Sequence, residues 1–333
     1  MSATMRGMIL AGGLSTRLYP LTLDVPKPLV PVLDRPVVDH VIDYLTRAGV
    51  DDITINVHYF AAAIEAYIGR GHRWNAHMRY LREPALMGSA GAVKQVQSTF
   101  DETFVVIGCD DVTDIDLGAA VAFHRARRAE ATIVLAQAAD VSQYGVVIID
   151  GEGRITEFQE KPSPGTAKSD LVNTGVYVFE PALLDRIPAG TFYDFGRDVF
   201  PQLLAGGAAF YGMRQLAYWC DIGTPREYRR CHFDALNGKV ALRPADGATM
   251  EGGVLRGAAV RIDRSARIVA PACIGAGSVL HPGALVERSI LWKDVTVGAG
   301  AVVSEAVLGD GARVEAGSTV NGGEFGRDAR IGL

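Results

Sequence analysis

Apolar and polar positions change rhythm along this chain, and the change divides it. Near the N-terminus a short apolar run, Met8-Ile9-Leu10, reads as a buried strand that stops at Gly12-Gly13. Val38, Val41, Ile42 and Leu45 then recur at helical spacing, and Gly49 is placed to end that helix. Strand patterns follow at residues 53–57, 104–107, 132–137 and 176–179, with helical stretches between several of them, as at 117–128. This alternation predicts an α/β fold, a mostly parallel, Rossmann-like sheet flanked by helices. Ligands of such sheets sit beyond the carboxyl ends of the strands, where Gly12, Asp110 and Asn173 fall. A last helix is marked by Thr224 as cap, Pro225 in the first turn, Glu227 completing a capping box and Gly238 as terminator.

After about residue 240 the rhythm becomes six. Ile262, Ile268, Ile274, Leu280, Val286 and Trp292 form one row, and Val302, Leu308, Val314 and Val320 a second row out of phase with it. Gly-x-Gly turns such as Gly275-Ala276-Gly277 lie between them. A six-residue period implies stacked short strands, here a short left-handed parallel β-helix of about four coils. The expected domains are therefore residues 1–240 and 250–333.

Composition narrows the function classes. A net charge of -5 over 333 residues argues against general nucleic-acid binding, so any phosphate site must be local. Cys109, Cys220, Cys231 and Cys273 show no Cys-x-x-Cys spacing and fit small reduced core residues of a cytoplasmic protein. No signal peptide or membrane-spanning run is expected.

The candidate chemistry begins at the first strand. Leu10-Ala11-Gly12-Gly13-Leu14-Ser15-Thr16-Arg17 is followed by Pro26-Lys27-Pro28. Backbone N–H groups beside fixed cations suit a triphosphate. The spacing is neither Gly-x-Gly-x-x-Gly nor the P-loop pattern. The segment closely resembles the signature of sugar-1-phosphate nucleotidyltransferases, above all the mannose-1-phosphate guanylyltransferases that carry a hexapeptide tail.

That resemblance implies the remaining roles. Leu10, Gly12, Gly13, Glu83 and Gly88 would bind the nucleotide, the last two in Glu83-Pro84-Ala85-Leu86-Met87-Gly88. Arg17, Lys27 and Lys161 would be the catalytic cations, Lys161 within Glu160-Lys161-Pro162. Gly145, Glu160, Lys161 and Asn173 would bind the sugar phosphate. Asp110, at the end of Val105-Val106-Ile107-Gly108-Cys109-Asp110, and Asp221, in Trp219-Cys220-Asp221-Ile222-Gly223-Thr224-Pro225, would hold Mg²⁺. Asp111 is a competitor for the first position, whereas Asp114 and Asp116 fit loop-capping or solvated acids. The implied partners are a nucleoside triphosphate and a sugar 1-phosphate, in a homo-oligomer.

Glu83 favours GTP, because a carboxylate only accepts hydrogen bonds and guanine offers two adjacent donors. Mannose 1-phosphate is the first choice of acceptor. The alternatives are a glucose-1-phosphate thymidylyl- or uridylyltransferase and a guanylyltransferase for a heptose or cyclitol phosphate. Two readings lie outside this reaction. A non-catalytic, nucleotide-sugar-binding subunit would be expected to lack an acid or cation that this chain retains. Acyl transfer by the coils would need a histidine base, and only His281 is available there.

Overall fold

The computed structural model describes residues 5–332. It divides into two compact units, each discontinuous in sequence: the chain through Gly13 with Val41–Trp219, and Leu14–His40 with Cys220–Leu333.

The first unit is built on a nine-stranded sheet. Its strands are β1 (Met5–Leu10), β2 (Val50–Val57), β3 (His77–Arg82), β4 (Phe104–Gly108), β5 (Ala131–Gln137), β6 (Gly145–Ile149), β7 (Ile155–Glu160), β8 (Leu171–Phe179) and β9 (Phe210–Arg214). The order is β7-β6-β8-β4-β1-β2-β3, with β5 joined to β8 and β9 to β5. Strands β4, β1, β2 and β3 run parallel, as their intervening helices require. Those helices include α1 (Val37–Arg47), α2 (Ala61–Ile68) and α3 (Gly88–Gln95), with α4 (Leu117–Ala126) after β4. Asp116 caps α4, its side chain accepting from Ala119 N. Met8, Val106, Ile133, Leu135, Phe179 and Phe200 lie in one buried apolar cluster.

Strand β8 is antiparallel to β4. Its register sets Tyr177 opposite Val106 and Phe179 opposite Phe104. The beginning of β8 therefore lies at the carboxyl end of the parallel strands, and Asn173 reaches that edge from a strand's start.

In the second unit α6 (Pro225–Leu236), which follows a short α5 (Phe200–Ala205) of the first, has the expected cap. Thr224 Oγ1 accepts from Glu227 N at 3.3 Å, and Gly238 ends the helix at φ +75°. The Glu227 carboxylate turns instead to Arg230, 2.6 Å away, so the cap is one-sided. Beyond it, short parallel strands stack into three sheets with the repeating coil of a left-handed parallel β-helix.

The six-residue rows need one correction. Coil partners are 18 residues apart at Arg267–Leu285, but 17 apart at Ile274–Leu291 and in the later coils. One residue is lost before Leu291 and another before Leu308, so the interior row runs through Leu291, Val297, Val303 and Leu308. Trp292 and Val302 are not members of this interior cluster. Trp292 is buried toward α6, where its indole donates to Tyr228 OH at 2.9 Å. The segment 14–40 is built into the same unit: Tyr228 OH donates to Pro31 O, and Ala276 N to Asp34 Oδ2.

Candidate active site

In the first unit the Gly12 turn rests on a buried acid. Ala11 N donates to Asn56 Oδ1 at 2.8 Å, and Asn56 Nδ2 donates to Glu83 Oε2 at 2.5 Å. Met87 N donates to the other oxygen, Oε1, at 3.1 Å. A Cβ on Gly12 would stand 2.7 Å from Asn56 Nδ2 and 2.8 Å from Glu83 Oε2, so only glycine fits. Glu83 is 4% exposed, which removes it from the surface ion pairs its basic neighbours suggest. Arg82 pairs with Glu65 and Arg79 with Asp52. Asn56 carried a sequence signal, a polar residue closing an apolar strand, whose meaning depended on the fold.

Gly88 opens α3 at φ +75°, and a Cβ there would collide with Tyr193 O. Tyr193 N donates back to Met87 O at 2.8 Å. The loop 83–88 is thus held at both ends.

Asp110 follows the end of β4 and is partly exposed, whereas Asp111 is 7% exposed. The Asp111 Oδ1 accepts from Trp219 Nε1 at 3.0 Å, and the same indole lies 2.8 Å from Thr174 O. Asp111 thereby orients the tryptophan of the Trp-x-Asp element.

Around the sugar-phosphate candidates, Glu160 ends β7 and Lys161 follows at φ +44°, with Nζ 3.7 Å from Glu160 Oε1. Partial desolvation raises the Glu160 carboxyl pKa from its ordinary value although the side chain is 37% exposed; Lys161 opposes the shift and Asp194 reinforces it. Gly145 and Gly196 cradle Glu160: Cβ atoms there would be 3.3 and 2.5 Å from its Oε2. The Asn173 amide is engaged in its own strand, donating to Tyr177 OH at 2.9 Å and accepting from Gly175 N at 3.0 Å. Asp194 was not singled out by sequence, although an acid opening a helical turn is a cap signal.

The second unit holds Arg17, Lys27 and Asp221. Lys27 is buried in the turn Lys27–Leu29, and its Nζ lies 3.6 Å from Asp221 Oδ1. Arg17 is exposed on the turn Thr16–Leu18. Its guanidinium reaches within 2.9 Å of where a Gly223 Cβ would be, next to the Asp221 carboxylate. Thr22 Oγ1 donates to Ser15 O and steadies the loop before it.

Among the described residues no three His, Cys, Asp or Glu side chains form a metal-binding group. No helix among those residues is long and apolar enough to cross a membrane.

The sequence matches the nucleotidyl transferase family over residues 6–238. It is 36% identical to the UTP–glucose-1-phosphate uridylyltransferase of Synechocystis, covering 88% of this chain and 84% of that one. It is 34% identical to the mannose-1-phosphate guanylyltransferase of Mycobacterium tuberculosis, covering 88% and 81%. The crystal structure of HddC from Yersinia pseudotuberculosis complexed with GMP-PN superposes with a TM-score of 0.59 at 25% identity, covering 68% of this chain and 98% of that one. With its glycine turn, its strand-end acids and these relatives, the chain belongs to the sugar-1-phosphate nucleotidyltransferases.

Proposed function

We propose that this chain transfers a guanylyl group from GTP to mannose 1-phosphate, releasing pyrophosphate. A phosphate oxygen of the sugar 1-phosphate attacks the α-phosphorus in line. The bond to the β-phosphate oxygen breaks, and pyrophosphate leaves with the electron pair. No covalent enzyme intermediate is needed, because the acceptor is already a nucleophile; the protein aligns the reactants and neutralises charge.

The observation that carries the base choice is the Glu83 carboxylate against Gly12. Its two oxygens accept from Asn56 and Met87 and retain further lone pairs, which can only accept. Guanine's N1–H and 2-amino group match them. The GMP-PN complex of HddC supports the same choice. The Synechocystis relative supports a second reading, UTP with glucose 1-phosphate.

In this proposal Leu10, Gly12, Gly13 and Gly88 line the nucleotide, and Arg17 grips the departing pyrophosphate with its fork of donors. Lys27 and Lys161 balance phosphate charge. Gly145, Glu160 and Asn173 meet the sugar. Asp110 and Asp221 would hold Mg²⁺, which when bound polarises the phosphoryl oxygens.

Pyrophosphate release measured for five nucleoside triphosphates against several sugar 1-phosphates tests the reading. Glu83→Gln should move kcat/KM from GTP toward dTTP or UTP by roughly ten- to a hundredfold, the consequence of one mismatched donor. A wild type that prefers UTP, or a ratio unmoved by the substitution, overturns the base assignment.

A further inference from the structure

We infer that Ser89 and Asp194 are positioning residues that couple the nucleotide loop to the sugar-phosphate carboxylate. The inference rests on the proposed roles of Glu83, Gly88 and Glu160.

Ser89 stands one residue into α3, directly after the loop 83–88. Its hydroxyl donates to Asp194 Oδ2 at 2.8 Å and accepts from Phe195 N at 3.0 Å. Ala90 N and Gly91 N both donate to Tyr193 O at 3.0 Å. The start of α3 and segment 193–195 are thus joined by backbone and side chain together.

The same segment touches the other half of the site. Asp194 Oδ1 accepts from Gly196 N at 3.0 Å and Arg197 N at 3.2 Å, capping the turn Phe195–Val199. Gly196 lies against Glu160, leaving 2.5 Å between an added Cβ and Oε2. A cap needs one carboxylate oxygen. Asp194 commits its second oxygen to a hydroxyl 105 residues away in sequence, on the element that opens at Gly88.

The path is short and made of defined contacts. A nucleotide that fixes loop 83–88 fixes Ser89. Ser89 fixes Asp194, and the turn behind Asp194 sets the floor under Glu160. Such coupling is reciprocal: each substrate should tighten the other by the same factor.

The test uses the full chain and titrates the sugar 1-phosphate that the wild type uses, by calorimetry, with and without a non-hydrolysable analogue of the triphosphate that it uses. In the wild type the analogue should tighten the sugar 1-phosphate about tenfold or more, within the range usual for coupled sites. In Ser89→Ala the enhancement should shrink by roughly tenfold, and the KM for sugar 1-phosphate should rise while the nucleotide affinity alone stays unchanged. Ser89→Thr keeps the hydroxyl and should restore the coupling; a purely structural serine would show a lowered Tm with the coupling intact. Enhancement equal to wild type in Ser89→Ala, or no recovery in Ser89→Thr, overturns the link and leaves the nucleotidyl transfer reading standing. A wild type that releases no pyrophosphate with any substrate pair overturns both.

Discussion

Mild acid should weaken the second unit through one side chain, His232. The imidazole is fully buried on α6. Its Nε2 donates to Pro31 O at 2.9 Å, while Nδ1 has no hydrogen-bond partner. A second proton would therefore create a buried cation whose Nδ1–H has no acceptor, and burial pushes the pKa from 6.5 down to about 4. The sign follows from proton counting. Below pH 6.5 the unfolded chain takes up a proton that the folded chain refuses until about pH 4, so stability falls as pH falls through that window. At about 1.36 kcal/mol per pKa unit, the loss approaches ~3 kcal/mol, with a slope near ~1.2 kcal/mol per pH unit around pH 5. His124, also buried and depressed, adds a slope of the same sign, and carboxylates add their own. Comparison with His232→Gln cancels those terms. Urea unfolding of both proteins at several pH values between 7 and 5 should give curves that converge as pH falls, because only the wild type pays the proton cost. Parallel pH dependences would refute the argument. Pro31 also accepts from Tyr228 OH at 2.6 Å, in the segment that carries the proposed cations Arg17 and Lys27.

The other expectations concern the proposed reaction. Asp110→Asn and Asp221→Asn should each cut turnover at least about a hundredfold with circular dichroism unchanged, since each removes an anionic ligand but keeps the shape; near wild-type turnover at saturating Mg²⁺ would remove that residue from the site. Arg17→Lys should depress kcat more than substrate affinity, because the charge stays while the fork is lost; an unchanged kcat would contradict this. Glu160→Gln should raise the KM for sugar 1-phosphate yet leave the fold at least as stable at pH 7. Its carboxyl pKa is raised, so the stability it contributes is present below 4.5 and lost as pH rises through the folded value; with 37% of the side chain exposed and Lys161 3.7 Å away, the ionised form costs little at neutral pH. Thermal unfolding at pH 7 that shows a clear loss for Glu160→Gln would contradict the sign.

The parts of this protein legible in its sequence are those governed by local rules. The apolar run at Met8, the helical stripe from Val38 to Leu45 and the Thr224–Gly238 punctuation depend on neighbours a few residues apart, and each element forms where its pattern places it, although the Glu227 half of the capping box goes to Arg230. The six-residue rhythm likewise announced stacked coils. Where the rhythm slipped, sequence alone misassigned the row: Trp292 keeps the period of six but points out of the interior cluster, because a coil of 17 residues shifted the phase. Long-range partners decided the rest. Glu83 stands out in the linear chain, but its burial and the donors to its two oxygens, Asn56 and the Met87 backbone, come only with the fold. Ser89 and Asp194 are ordinary polar residues in the linear chain; a contact across 105 residues makes them a pair. Periodicity records which face of an element avoids water, a property each segment expresses by itself. Which carboxylate receives which donor depends on strand order and register, and the antiparallel entry of β8 is fixed only when the whole sheet has closed.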